Sequence, residues 1–189
     1  MENTEKIDII HQVFTGILDG DMDHAKAALS AYPFLAVEYE KRSYTNQTKM
    51  EQFVKDGFID RYSGEKLLNP GVLRVISCVL PAQFPFQAHW KMSECHTAYW
   101  ELTPTIDHIV PIARGGEDRP ENWATTSMMH NLIKSNWTME QMQWKLHRAG
   151  NLEVWDGMTR DFVMLIEKNP QLKEVGFIAE WSRLSREYV

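Results

Sequence analysis

The stretch from residue 103 to residue 137 constrains this chain more than any other part of its sequence. It carries an acid–imidazole pair, a glycine turn and three spaced polar residues, namely Asp107-His108, Gly115-Gly116, Asn122, Asn131 and Lys134. His108 lies 14 residues before Asn122, which lies 9 residues before Asn131. The β-rich run before Pro111, the polar loop, the run NWATTS and the pattern after Ser127 predict strand, loop, strand and helix, in that order.

These residue types suit phosphodiester hydrolysis, which needs a base for the attacking water and a cation on the scissile phosphate. His108 can accept a proton from water near neutral pH. Asp107 and Asn131 offer the hard oxygen atoms that Mg²⁺ prefers. Because adjacent residues on a flat strand point to opposite faces, we expect a bend or bulge near Pro111 to bring Asp107 and His108 to one substrate.

The order DHIVP, GG, ENW and N-x-x-K resembles that of the HNH endonucleases, whose fold is a β-hairpin laid on a helix around one metal ion. The tight match covers about 30 residues, and a looser one extends back to residues 61–64. The resemblance implies that His108 is the general base. It implies that Asn122 ties down the connecting loop and orients His108. It also implies that Asp107 and Asn131 hold one divalent ion, Mg²⁺ or Mn²⁺.

The same resemblance implies cleavage of a nucleic-acid backbone to leave 5′-phosphate and 3′-hydroxyl ends. It predicts DNA as the partner and leaves RNA open. Relatives with a structural zinc carry cysteines four and one residues before the helix Asn and in an upstream pair. This chain has Ser127, His130, Asp60 and Ser63 there, so we expect no structural zinc and expect packing by flanking helices to replace it. A mixed zinc site of Cys78, His89, Cys95 and His96 stays an open alternative, although its spacing matches no established zinc pattern.

Three positions in this stretch keep an alternative role. His130 could replace Asn131 as metal ligand, although neighbours on a helix lie about 100° apart. Lys134 could contact a phosphate or pair with a carboxylate. Arg114 could meet the substrate backbone or be an ordinary solvated loop charge.

The charge balance argues against tight, metal-free binding of nucleic acid. The net charge is −6, and residues 103–137 hold three basic against four acidic side chains. Because Lys and Arg supply much of the affinity for phosphates, we expect weak or metal-dependent binding that draws on basic residues from elsewhere. Two candidate surfaces are Lys41-Arg42 with Lys49, and Arg183 with Arg186. The scattered tryptophans are expected to pack in the core rather than stack on bases.

Helical patterns flank the core on both sides. Residues 1–56 are predicted to be a mostly helical appendage, with helices near Ile7–Leu18, from Asp21 or Asp23 to Tyr32, and over Asn46–Lys55. Residues 57–137 form the predicted nuclease core, in which Asn69-Pro70-Gly71 is interpreted as a turn and residues 72–102 carry no clear pattern. Residues 138–189 are predicted to pack on that core as helices from Thr138 to near Gly150, Met158 to Lys168 and Leu172 to Tyr188.

The chain is therefore predicted to be an α+β protein: a ββα-metal core, a β-hairpin packed on a helix, with helical flanks. Two cysteines, an acidic start and no long apolar run favour a cytoplasmic protein outside the membrane. The function predicted is metal-dependent endonuclease. Two alternatives stay open: a catalytically silent module that binds nucleic acid or protein, and a toxin or defence nuclease that uses its N-terminal helices to bind a protein partner.

Overall fold

The computed structural model describes residues 2–34 and 43–189. The chain divides into two compact units, the N-terminal unit (residues 1–41) and the main unit (residues 42–189). The division falls ahead of the helix at Asn46–Lys55, rather than after residue 56 as predicted. Within the described ranges, every helix is too short or too polar to cross a lipid bilayer.

The N-terminal unit is a pair of packed helices, α1 (Asn3–Leu18) and α2 (Met22–Leu29). Asp21 caps α2 by accepting a hydrogen bond from the backbone N–H of His24, which fits the predicted start, but the helix ends at Leu29 instead of Tyr32. Gly16 lets the helices approach, since a Cβ there would lie 3.0 Å from the backbone nitrogen of Ala25. The apolar side chains of α1 remain largely exposed.

The main unit begins with α3 (Asn46–Lys55), whose predicted bounds are confirmed. Thr45 caps its start, and Gly57 follows its end with a φ of +65°. The next helix, α4 (Pro70–Val79), corrects the turn predicted at residues 69–71. Asn69 is instead the N-cap, and Pro70 occupies the first helical position, where its missing N–H costs nothing.

The hairpin follows a short helix, α5 (Ala98–Leu102). Strands β1 (Pro104–His108) and β2 (Trp123–Ser127) pair antiparallel, with Pro104 opposite Ser127 and His108 opposite Trp123. The chain then turns directly into α6 (Met128–Lys134), because the Ser127 side chain accepts from the backbone N–H of His130. The predicted order of strand, loop, strand and helix is confirmed, as is the α+β class.

The C-terminal part differs from prediction in its first helix. The capping box of Thr138 and Gln141 is present, but α7 (Met139–Met142) stops far short of Gly150. Residues 144–150 are irregular because their backbone bonds elsewhere: the N–H groups of His147 and Gly150 donate to the carbonyls of Arg61 and Asp56. The chain ends with α8 (Thr159–Lys168) and α9 (Gly176–Ser185), with short 3₁₀ turns on both sides of α9.

The larger hydrophobic core joins α3 and α4 to the C-terminal helices. Phe53 and Ile166 within it are almost fully buried. Among the apolar side chains of the last two helices, Leu165 and Phe177 are exposed, whereas four others are buried, namely Ile166, Ile178, Trp181 and Leu184. Since α3 supplies Met50 and Phe53 to this core, it is part of the main unit's fold and not an appendage.

Candidate active site

The candidate site lies where β1 ends beside α6. Thr105 and Asp107 share one face of β1, and their side chains bond to residues of α6. His108 points to the other face, toward the loop that joins the strands. The pairing of β1 with β2 runs regularly through His108, and the chain bends at Ile109 and Val110, next to Pro111, where a bend or bulge was predicted. Asp107 and His108 nevertheless point to opposite faces of the strand.

Asp107 is held by two donors on one carboxylate oxygen. Its Oδ2 lies 2.7 Å from the Lys134 Nζ and accepts a 2.7 Å hydrogen bond from the Tyr62 hydroxyl. Burial, and then the charge of Asp107, raises the pKa of Tyr62 well above its usual range, so this hydroxyl keeps its proton. Tyr62 is a site residue that the sequence did not reveal, because it lies 45 positions from Asp107.

Lys134, on α6, fixes the end of β1. Its side chain is fully buried, and its ammonium also donates a 2.6 Å hydrogen bond to the backbone carbonyl of His108. One lysine thus bonds to both Asp107 and His108. A buried ammonium cannot reach a phosphate from this position, so carboxylate pairing is the role shown for Lys134, and direct substrate contact by it is not supported.

Asn131 lies one helical turn before Lys134 on α6. Its Nδ2 donates a 3.2 Å hydrogen bond to Thr105 Oγ1. Among residues 2–34 and 43–189, neither Asn131 Oδ1 nor Asp107 Oδ1 makes a hydrogen bond. Both are oxygen atoms of the type that Mg²⁺ and Mn²⁺ prefer, but the Lys134 ammonium already neutralises the Asp107 carboxylate, so metal binding by this pair stays a prediction.

His108 is nearly buried and is hydrogen-bonded through Nε2. This nitrogen lies 2.9 Å from Asp118 Oδ1 and 3.3 Å from the Tyr44 hydroxyl. Within the described ranges, the ring's other nitrogen, Nδ1, has no hydrogen-bond partner. An imidazole held by a carboxylate on one nitrogen has its other nitrogen available for proton transfer.

Asp118 anchors a small polar cluster that sequence reasoning missed. Its Oδ1 accepts hydrogen bonds from Tyr44, from His108 and, at 2.9 Å, from the Trp123 indole. Partial burial would raise the pKa of this carboxyl, but these hydrogen bonds outweigh burial and lower it. Asp118 therefore stays ionised beside His108. Its position in a polar loop gave no signal, since many acidic residues lie in such loops.

Asn122 closes the loop between the strands. Its Oδ1 accepts from the backbone N–H of Val110, and its Nδ2 donates to the carbonyls of Val110 and Glu117, each at 2.9 Å. Gly116 is required here because a Cβ would lie 1.9 Å from the Val110 carbonyl oxygen. The Asn122 side chain bonds to backbone atoms of the loop and not to the His108 ring. It can influence His108 by fixing the loop that carries Asp118.

Three of the positions compared above with a zinc site, Asp60, Ser127 and His130, form a hydrogen-bonded cluster. Asp60 is fully buried, and its Oδ2 lies 2.7 Å from His130 Nδ1 and 2.8 Å from the backbone nitrogen of Ser127. Burial raises the pKa of Asp60, but hydrogen bonds from His130, Ser127 and Tyr62 more than offset it, so the pKa is lowered. His130 faces this cluster, whereas Asn131 bonds to β1.

The remaining predicted contacts lie at the surface. Arg114 is exposed, and its Nε donates a 3.3 Å hydrogen bond to the carbonyl of Asn136. Arg183 and Arg186 each lie 3.9 Å from a glutamate, Glu187 and Glu167 respectively. Lys41-Arg42, the other basic pair suggested by the sequence, falls outside the described residues. The phosphate-binding roles of these side chains stay predictions.

Comparison with protein-family models, curated proteins and solved structures returns no significant match.

Proposed function

We propose that the main unit is a metal-dependent HNH-type endonuclease that hydrolyses DNA phosphodiester bonds. The observation that supports this most is the combination of the spaced residues Asp107, His108 and Asn131 with the hairpin and helix on which they lie. Among the described residues, Asp107 and Asn131 each keep one oxygen without a hydrogen bond at the β1–α6 contact, and His108, whose side chain lies on the opposite face of the same strand, keeps Nδ1 without one.

The proposed chemistry divides among three groups. Asp107 and Asn131 would hold one divalent cation, which supplies positive charge to the scissile phosphate and the leaving oxygen. His108 takes a proton from the attacking water through its unbonded Nδ1. Lys134 fixes the end of β1, because its ammonium bonds both to the Asp107 carboxylate and to the backbone carbonyl of His108.

Asp118 acts in this proposal as a positioning residue. Its hydrogen bond to Nε2 fixes the His108 ring, and its negative charge stabilises the imidazolium that forms when Nδ1 takes a proton. Asn122 fixes the loop that carries Asp118, through bonds to backbone atoms alone. The hydrogen bonds of Asn122 thus support the geometry of the base without touching the reacting atoms.

A plasmid-nicking assay with Mg²⁺ or Mn²⁺ tests the proposal. Wild type is expected to convert supercoiled plasmid to open circles in the presence of metal, and His108→Ala is expected to lower the rate by about 10²- to 10⁴-fold, the usual contribution of a general base. His89→Ala is the matched control, since His89 is exposed and its side chain makes no hydrogen bond to a described residue. Equal rates for wild type and His108→Ala would overturn the assignment of the base.

Asp118→Asn tests the positioning role. The side chain keeps its size but loses its charge, so we expect kcat to fall by about tenfold, because the charged hydrogen bond to His108 weakens. The amide oxygen can still accept from Tyr44 and Trp123, so we expect KM to be unchanged. A rise in KM at constant kcat would instead mean that Asp118 contacts substrate.

The silent-module alternative predicts a different pattern. Two ion pairs within the site support it: Asp107 is paired with Lys134, and His108 is paired with Asp118. Binding of DNA by wild type and by His108→Ala with equal affinity, together with no cleavage under any divalent ion, would favour that alternative over the nuclease.

A further inference from the structure

A cavity of about 320 Å³ lies in the main unit, apart from the candidate active site. It is enclosed by α4, α5, the segment between them and the start of α9. Its lining includes one basic and four aromatic side chains as well as a residue that precedes β1, namely Arg74, Phe86, Trp90, Tyr99, Phe177 and Thr103. Its volume is near the lower end of the range for small-molecule pockets, so it suits a single planar group rather than a large ligand.

Three of the four aromatic rings, those of Phe86, Trp90 and Tyr99, contact one another. Trp90 meets Phe86 edge-on with ring centroids 6.0 Å apart, and meets Tyr99 edge-on at 5.5 Å. The Tyr99 hydroxyl is bonded to the hydroxyl of Ser77 and the carbonyl of Leu73, which fixes its ring. Rings held in this way offer a preformed apolar slot for another flat ring.

Trp90 shows two signs of more than a packing role. Its backbone φ is +55°, in a left-handed region that bulky residues rarely adopt and that tends to be retained at functional sites. Its indole N–H makes no hydrogen bond to any residue in the described ranges and so is available to a ligand. The half-buried ring borders the cavity instead of being sealed in the core.

Arg74 supplies positive charge at the same cavity. Its guanidinium carbon lies 3.9 Å from the centroid of the Phe86 ring, and no carboxylate in the described part of the chain pairs with it. The side chain is half-buried, so the charge is partly withdrawn from water. A cation without an acidic partner, next to three aromatic rings, matches a ligand that has both a flat ring and a negative charge.

We propose that this cavity binds one unpaired base of a nucleic-acid strand, with Arg74 on the adjoining phosphate. Aromatic stacking takes any base, because every base has a π-face, and arginine is well suited to phosphate. This assignment rests on the proposed nuclease function for the identity of its ligand. It revises, for Trp90, the expectation that the tryptophans pack in the core. Trp137 also departs from that expectation, since its side chain is 51% exposed.

The position of the cavity relates it to cleavage. Thr103 lines the cavity and directly precedes β1, the strand that ends at Asp107 and His108. Asp107 lies four residues after Thr103, which corresponds to about 13 Å along a strand. That distance spans a few nucleotides of one strand, so the bound base lies a short, fixed distance from the cleaved bond.

The test is fluorescence anisotropy of a labelled single-stranded 15-nucleotide DNA with the full chain carrying His108→Ala to prevent cleavage. Trp90→Leu is expected to weaken binding by about tenfold, the usual effect of losing one stacked base. Trp90→Phe should restore most of it. Arg74→Met should weaken binding and reduce the slope of log K against log salt by about 0.7, as for one lost phosphate contact on a single strand.

Phe84→Leu is the matched control, because Phe84 belongs to the same aromatic cluster but does not line the cavity. It should bind DNA within twofold of the parent protein. If Trp90→Leu fails to fold in a thermal melt, Arg74→Met carries the test, since Arg74 is half-exposed. Parent-like binding by Arg74→Met and by every folded Trp90 variant would overturn the proposal, as would no DNA binding by the parent.

An abasic scan separates a base from other occupants. Removing one base at a time should weaken binding to the parent at one position only, and should have no further effect on Trp90→Leu. An even response across all positions would mean that the cavity takes something else, such as an aromatic side chain of a protein partner. Because binding is measured without cleavage, loss of the pocket leaves the His108 nicking result intact, and failure of nicking leaves the binding result intact.

Discussion

The two units of this chain place their apolar and polar residues in opposite ways. In the described part of the N-terminal unit, the only buried residues are Gly16 and Ala25, while Ile7 and Phe14 are 66% and 61% exposed. In the main unit, Asp60 and Lys134 are fully buried and Phe53 is sealed in the core. One unit exposes apolar side chains, and the other buries charged ones.

The difference shows which interactions stabilise each unit. Buried charges are costly unless they are paired and hydrogen-bonded, so the main unit can keep Lys134 and Asp60 inside only because each has several partners. Those bonds fix α6 against β1 and the residue 60–62 turn. The N-terminal helices lack a comparable core, and chains shorter than about 40 residues rarely fold without external support.

Removing the buried lysine, Lys134, should lower the free energy of unfolding more than the Asp60 and Phe14 changes described below. Lys134→Met leaves the Asp107 carboxylate without its cation and is expected to lower the free energy of unfolding by about 3–5 kcal/mol, the usual cost of breaking a buried pair. Urea denaturation of the full chain measures it. Lys145→Met, at an exposed position, should change stability by less than about 0.5 kcal/mol. A loss below about 1 kcal/mol for Lys134→Met would show that the pair contributes little.

Neutralising Asp60 should have an intermediate effect. Asp60→Asn keeps the shape but weakens the bonds from His130, Ser127 and Thr126, at a cost of about 1.5–3 kcal/mol. Asp8→Asn on α1 is the matched control in the N-terminal unit and should be nearly neutral. Similar losses for both variants would contradict the contrast between the units.

The lowered pKa of Asp60 predicts that the free energy of unfolding depends on pH. Because folding lowers the pKa of its carboxyl, the ionised group adds stability above its usual pKa of 3.8, and this contribution is lost as pH falls below that value. Wild type should therefore lose stability more steeply than Asp60→Asn between pH 4 and pH 2. Parallel stability curves for the two proteins would remove Asp60 as a source of this dependence.

Truncating an exposed aromatic should have the smallest effect. Phe14→Ala in α1 is expected to change the free energy of unfolding by less than about 0.5 kcal/mol, since the side chain is already in water. The same change at buried Phe53 should cost about 3–5 kcal/mol and serves as the positive control. A loss above about 1 kcal/mol for Phe14→Ala would mean that α1 is covered in solution.

Local signals in the sequence were sufficient where neighbours in the chain decide the structure. The bounds of α3 follow from Thr45 as N-cap and Gly57 beyond its end, and Thr138 with Gln141 forms the predicted capping box. At Asn69-Pro70 the same residue types suit a turn or a helix start, and packing of α4 in the core selected the helix.

Distant contacts decided the places where prediction failed. After Met142, backbone bonds from residues 144–150 to Arg61 and Asp56 replace the helix that the capping box began. Likewise, Tyr62 lies 45 positions before Asp107, and Tyr44 lies 64 positions before His108. No periodicity or motif marks such a partner, because the loops that bring it close carry no pattern of their own.

The sequence by itself determined which residues can do chemistry: an imidazole and two oxygen-bearing side chains at fixed spacing, on a strand, a loop, a strand and a helix. Only the tertiary structure decided their electrostatic surroundings. Lys134 became a buried partner of Asp107, Asp118 a partner of His108, and Asp60 the centre of a polar cluster beneath α6. The physical reason is that spacing follows from the covalent chain, whereas burial and charge pairing depend on which distant segments pack together.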